Sequence, residues 1–272
     1  MLTGIVLLAG LLGLANVSLV RAAGATITVA HMNAPIPVTN PFADVWSKAP
    51  VADVPMSAQQ IWQPGGGSVQ AVQVRALENG QDIAFLVSWA DATKNDYVKD
   101  LPSDAAAIQL PLDPTHLPYQ CMGQSTSRVN IWQWKAALEA EAKASEGGVP
   151  YNGTRNLTSN GICRAVETEG IHPTANSVWR DGRWYVIYSR ILAPSGPGNA
   201  PLLTGVGTNA AFAVWDGGKG ETRAMKAVST WTPINIGQAT TNTGANLLTL
   251  VALTIAGIIA IALGFRFVPR RA

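Results

Sequence analysis

Charge is scarce in this 272-residue chain: charged residues make up 13% of it, about half of the roughly 25% usual in soluble globular proteins. Hydrophobic residues reach 47%, which excludes a disordered chain, because such chains combine low hydrophobicity with high net charge. Histidine is nearly as sparse. His31, His116 and His172 stand far apart, and neither His-Glu-x-x-His nor Cys-x-x-Cys occurs, so the common zinc spacings are missing. There is no Gly-x-Ser-x-Gly elbow, and Gly217-Gly218-Lys219-Gly220 lacks the spacing and the following Ser or Thr of a phosphate loop. No motif supports a hydrolase. The only two cysteines are Cys121 and Cys163; an oxidising compartment permits a disulfide between them, and nothing in their spacing requires one.

The net charge of +2 would suggest a nucleic-acid partner only if the bases were clustered on a folded domain. They are not. All 17 acidic residues lie between Asp44 and Glu221, and four of the 19 basic ones, Arg21, Arg266, Arg270 and Arg271, flank the two most apolar stretches. What remains is 15 bases against 17 acids, a faintly acidic middle with no case for binding nucleic acid.

Those apolar stretches read as membrane-directed. Residues 247–265 form an uncharged run of 19, close to the roughly 20 that cross a bilayer as a helix, and the arginines after it place 266–272 in the cytoplasm. Residues 1–24 read as a secretory signal, with the small residues of Arg21-Ala22-Ala23-Gly24-Ala25 as a cleavage site. Because no Lys or Arg precedes the apolar run, a retained N-terminal anchor stays open. The expected arrangement is a single-pass membrane protein whose main domain, 25–233, is extracytoplasmic, with 234–246 as the linker to the membrane helix.

The middle of the chain predicts many short strands. Residues 68–77 alternate in polarity, Glu78-Asn79-Gly80-Gln81 makes a turn, and 83–89 follows as a buried strand. A second hairpin turns at Asp181-Gly182 between 177–180 and 184–192, and 105–110, 128–134, 210–215 and 224–231 read as further strands. One helix is expected over 135–145, ended by Gly147-Gly148. Gly65-Gly66-Gly67 and residues 193–201 have the composition of linkers, and Asn152 and Asn156 begin glycosylation triplets in a polar, Gly-rich stretch. Together this predicts a mainly β domain, an antiparallel β-sandwich with short helical insertions.

Nine tryptophans stand between Trp46 and Trp231. They fit a sandwich core, and they would equally suit a large flat ligand such as a sugar or a tetrapyrrole. Three segments carry a resemblance. Cys121-Met122-Gly123, with Arg128-Val129-Asn130-Ile131-Trp132-Gln133-Trp134-Lys135-Ala136, is similar to a stretch of the haem-binding subunits related to the ethylbenzene dehydrogenase γ subunit, a group that includes the dimethyl sulfide dehydrogenase γ subunit. Residues 211–221, containing Trp215-Asp216-Gly217-Gly218-Lys219-Gly220-Glu221, and 225–231, containing Met225-Lys226, resemble the closing strands of that family. Residues 85–89 with Asp91 and Thr93 are a weaker third match.

The resemblance implies a β-sandwich holding one haem b, its iron bound by a methionine sulfur that falls on Met122 and a lysine nitrogen that falls on Lys226. Trp132, Trp134 and Trp215 would belong to the cofactor site, and Arg75 and Arg190 are candidates for the haem propionates. A thioether favours reduced iron and raises the potential, while lysine ligates only as the free amine, so its pKa of about 10.4 in water must fall. Met225 and Lys226 would face opposite sides of a strand, so a shifted register would make Met225 the ligand. The three histidines are chemical rivals outside any matching motif. The family implies a non-catalytic electron-transfer subunit that serves a molybdopterin catalytic subunit and an iron–sulfur subunit, with nitrate or nitrite, chlorate, selenate, dimethyl sulfide or hydrocarbons as substrates of the complex. Membrane anchoring would bring it near quinol-oxidising or cytochrome partners. The competing readings are a stand-alone membrane-anchored cytochrome b and a haem-free sugar-binding or adhesion sandwich.

Overall fold

The computed structural model describes residues 25–96, 102–119, 122–145 and 153–237. Within them the chain forms two packed sheets. The first contains β10 (Thr174–Trp179), β11 (Arg183–Ile191), β5 (Asp82–Ala90), β4 (Ala71–Glu78), β1 (Ile27–His31) and β14 (Thr232–Ile236) in that order, with β2 (Ala52–Pro55) also on β4. The second runs β12 (Thr208–Trp215), β6 (Ala105–Pro111), β7 (Val129–Lys135), β8 (Thr154–Ser159) and β9 (Val166–Glu167), with β13 (Ala227–Val228) and then β3 (Ser57–Ala58) beyond β12. One strand turns the corner between them: Thr208, Asn209 and Ala210 of β12 pair with β14, whereas Ala211 to Trp215 pair with β6. The sandwich is not purely antiparallel as expected, because β1 runs parallel to both β4 and β14.

Alternation along the strands makes three apolar layers. Between the sheets, Trp89, Trp132, Trp134, Trp184, Phe85 and Phe212 pack in one large cluster. Trp89 stacks on Trp184 with centroids 6.5 Å apart, and Trp134 meets Trp184 edge-on at 5.0 Å. Behind the first sheet, Trp46 packs with Leu77, Leu86 and Ile187. Behind the second, Ala105 and Ala107 of β6, Val129 and Ile131 of β7, Leu157 and Trp215 form a third cluster. The third layer is the one that matters for the site.

Local chemistry explains several elements. Asp181 and Gly182 have φ of 53° and 70°, the left-handed pair that a two-residue hairpin turn needs, so the expected hairpin forms as β10 and β11. The expected helix is α1 (Ala136–Ala144), flanked by extended Lys135 and Ser145. Its Glu139 is buried and accepts hydrogen bonds from the Trp134 indole and from the Ser177 backbone and hydroxyl, while Lys143 pairs with it at 2.7 Å.

Other expectations are corrected. Residues 234–236, expected to open a linker, belong to β14, where Ile234 and Ile236 are buried. The stretch 224–231 yields only the two-residue β13, because Arg223 has φ of 51° and Met225 N–H turns back to the Thr222 carbonyl. Residues 193–201 are no linker: Ala200 is buried, and its carbonyl accepts from Arg190. Asn156 lies fully buried in β8, where its amide nitrogen donates to Asn199 Oδ1 at 2.8 Å and to the Ile171 carbonyl at 3.0 Å, and its oxygen accepts from Asn130 at 2.6 Å. A glycan has no access there. Asn152, Cys121 and Gly147-Gly148 lie outside the described residues, and Cys163 is exposed. No helix among the described residues is long and apolar enough to cross a membrane. The expected signal, the membrane helix, the tail and the linker from 238 onward fall outside them.

Candidate functional site

The second sheet's outer face brings together three of the residues singled out in sequence. Trp215, the last residue of β12, is buried in the outer cluster, and Met122 packs against that same cluster with Ala213 and Trp231. Lys226 places its Nζ 4.9 Å from the Trp215 ring centroid, a cation over an aromatic face. Trp215 and Lys226 are also tied through the backbone, because the indole Nε1 of Trp215 donates to the Arg223 carbonyl at 3.0 Å. The indole thereby fixes the loop that leads to Lys226.

Each donor sits on a tightly held segment. Met122 has φ of 62°, in the left-handed region that costs a non-glycine residue energy. Gly161 N–H donates to its carbonyl at 3.0 Å, and the next residue, Gly123, has φ of 83° and stands where a Cβ would meet the Ser159 carbonyl at 2.8 Å. Only glycine fits there. Lys226 is gripped from the other side: its N–H donates to the Gly66 carbonyl at 3.2 Å, and its carbonyl accepts from Gln59 at 3.0 Å. A Cβ on Gly67 would come within 2.2 Å of the Lys226 and Ala227 backbone. The glycine run read as a linker is a close-packed support for the Lys226 segment. Gln59 completes it by donating from its side chain to the carbonyls of Trp62 and Ala224.

Around this face stand exposed aromatic side chains, Trp62 and Tyr119, at 51% and 70% exposure. Each is adjacent to backbone atoms already tied to the site: the Trp62 carbonyl shares Gln59 with Ala224, and the Pro118 carbonyl beside Tyr119 accepts from the Trp231 indole at 2.8 Å. Met225 lies next to Gly66. The face thus offers a thioether, an amine and aromatic surface around one apolar cluster, donor types suited to a flat hydrophobic cofactor with a metal at its centre.

The structure separates the other candidates from it. Trp132 and Trp134 are fully buried and face the inter-sheet core, because residues 132 and 134 have the opposite parity on β7 to Val129 and Ile131. Arg190 is buried beneath the first sheet over the Trp132 ring, 4.5 Å from its centroid, and donates to Asn130 Oδ1 and the Ala200 carbonyl. Burial pushes its guanidinium down to about 9. Arg75 donates to the carbonyls of Trp46 and Ala49 behind the first sheet. Both arginines are committed to backbone or core partners and are withdrawn as propionate candidates. His31 pairs with Glu78 at 2.6 Å and with Asn33, and His116 with Asp113 at 2.9 Å. Both imidazoles are held in these local pairs. What sequence reasoning missed is the support, Gln59 and Gly67, whose only signal was a glycine run.

The ethylbenzene dehydrogenase family model matches residues 43–169. A putative respiratory nitrate reductase heme subunit of Haloferax mediterranei is 29% identical over 195 residues, which cover 70% of this chain and 66% of that protein. The chain therefore spans slightly under two thirds of that relative's length. The chlorate reductase subunit gamma of Ideonella dechloratans is 28% identical over 70% of this chain and 76% of its own. Among solved structures, a carbohydrate binding module family 9 from Caldicellulosiruptor kristjanssonii, in complex with glucose, aligns at 12% identity with a TM-score of 0.45, over 80% of this chain and 97% of that one. That likeness is too slight to transfer a ligand. By sequence, the chain is similar to the ethylbenzene dehydrogenase family and to proteins named as a heme subunit and a gamma subunit of nitrate and chlorate reductases.

Proposed function

We propose that this chain is the electron-transfer subunit of an exported oxidoreductase complex and carries one haem b, with Met122 and Lys226 as axial ligands. The observation that carries the reading is that Met122 and Lys226 both border the outer cluster of the second sheet, Met122 packed against the cluster and Lys226 Nζ over its Trp215 ring. Bound there, the haem would supply a one-electron carrier whose two filled axial positions leave no place for oxygen or substrate. The chain's own residues do the rest. Trp215 offers apolar surface and fixes the Lys226 loop; Gly67 and Gln59 hold that loop's backbone; Gly123 and Gly161 hold Met122 in its left-handed conformation. Lys226 would act as the neutral amine, released from its contact with the indole face.

In this reading the chain turns over no substrate. Its partners are a molybdopterin catalytic subunit and an iron–sulfur subunit, and the names of its relatives favour nitrate or chlorate as the substrate class of the complex. Anchoring through residues 247–265 would keep the domain at the outer side of the cell membrane, within reach of quinol-oxidising or cytochrome partners. Haem extraction from the full chain, purified from haem-replete cells, tests the proposal. About one non-covalent haem b per chain is expected; a colourless protein would overturn it.

A further inference from the structure

We propose that Asp91, Asp104 and Asp216 form a calcium site at the end of the sandwich where three strands from both sheets terminate. Asp91 follows β5, Asp104 precedes β6 and Asp216 follows β12. One carboxylate oxygen from each lies within 4.8 Å of one from each of the others, and all three residues are buried, at 4%, 0% and 6% exposure.

Most of their oxygens have protein donors. Asp104 Oδ1 accepts from Gly217 N–H at 2.8 Å, and its Oδ2 accepts from Asn95 N–H at 2.7 Å and the Trp184 indole at 2.9 Å. Asp216 accepts from Lys219 N–H, and Asp91 Oδ1 from Thr93 N–H at 3.1 Å. Asp91 Oδ2 is different: it is buried with no hydrogen-bond partner among the described residues. A carboxylate oxygen buried without a donor beside two further carboxylates is costly, and a cation supplies what is missing.

Charge and shape agree with that occupant. Lys219 Nζ lies 3.1 Å from Asp216 Oδ2, so three carboxylates and one ammonium leave a charge of about −2, the complement of a divalent ion. Uncharged oxygens converge at the same place. Thr93 Oγ1 lies 3.4 Å from Asp91 Oδ1 and 2.8 Å from Asn95 Oδ1, and Gly218 lets the backbone pack against them, since a Cβ there would meet Thr93 Oγ1 at 2.4 Å and Asp216 Oδ1 at 3.3 Å. An all-oxygen donor set is hard, which excludes soft metals and suits calcium. Magnesium tends to keep several of its waters, for which a buried site has little room. The ion would clamp β5 of one sheet to β6 and β12 of the other, beginning one residue beyond Trp215.

The rival occupant is a proton held by Asp91. The experiment strips the full chain with a chelator and follows its melting temperature and terbium emission, excited through tryptophan, on adding CaCl2 or MgCl2. A calcium-dependent rise of several degrees is expected, with magnesium weaker and terbium displaced by calcium. Asp91→Asn should remove the rise and weaken calcium binding tenfold or more. If the parent shows neither a calcium-dependent rise nor terbium emission, the proposal is overturned. The same holds if Asp91→Asn binds calcium as tightly as the parent. Terbium emission from the folded parent keeps the test decisive should the variant not fold. None of these readouts depends on haem.

Discussion

The Nζ of Lys226 stands over the Trp215 indole at 4.9 Å, and that indole belongs to the cluster against which Met122 packs. Two residues 104 positions apart in sequence thereby border one apolar cluster, Lys226 at its Trp215 end. In the proposed assignment, replacing either ligand frees one coordination position and leaves the other occupied. Met122→Ala should lower the haem potential, since loss of the thioether removes the donor that favours reduced iron, as a redox titration would record.

Trp215 and Trp132 make a discriminating pair, because they occupy opposite faces of the second sheet. Trp215→Ala should cost about 3–5 kcal/mol and reduce haem retention, because the Arg223 carbonyl also loses its indole donor. Trp132→Phe should lower the melting temperature and leave the absorption spectrum unchanged. Thermal melts and spectra of the two variants check this.

Gly67→Ala places a Cβ within 2.2 Å of the Lys226 and Ala227 backbone at a φ of +129°. The strain, about 1–3 kcal/mol, should be relieved by displacing the Lys226 segment. The spectrum should therefore change as it does in Lys226→Ala, while Gly80→Ala, where a Cβ meets nothing within 4 Å, leaves it unaltered.

Asn156→Ala removes one acceptor and two donated bonds from a buried network with Asn130, Asn199 and the Ile171 carbonyl. Each orphaned partner costs about 1–3 kcal/mol, so denaturant unfolding should show a loss of several kcal/mol. Occupancy of this triplet by a glycan in the folded protein would contradict the placement of β8.

The acidic cluster predicts a pH dependence. Burial foremost, then the charge of Asp104 and further that of Asp216, pushes the Asp91 carboxyl up to about 7, and burial also raises Asp104. An unfolded aspartate titrates near 3.9, so between about pH 4 and pH 7 the native chain binds more protons than the unfolded one. Stability of the calcium-free chain should fall as pH rises through that window, with Lys219 the one cation paired to the cluster among the described residues. Calcium should stabilise strongly at pH 8 and hardly at pH 5. Melting curves at both values, with and without calcium, decide it.

Much of the architecture was legible because local signals agreed with the fold. The left-handed Asp181-Gly182 pair set one hairpin, and alternation along 71–78 followed by the continuously buried run 83–89 set another. β8 was missed because Asn156 and Thr158, polar in composition, are buried and satisfied only by distant partners such as Asn199 and the Gly198 carbonyl. Gly65 to Gly67 looked like a linker because glycine signals freedom and close approach alike, and only the Lys226 backbone distinguishes them. At the candidate site, the resemblance supplied Met122 and Lys226, but the faces of Trp132 and Trp134 depended on strand register that the motif did not reveal.

The central claim is tested most directly by the absorption spectrum of the reduced full chain beside those of Met122→Ala and Lys226→Ala. The account predicts six-coordinate, low-spin haem b in the parent and loss of that state in each variant. A parent spectrum that persists unchanged in both variants would contradict it.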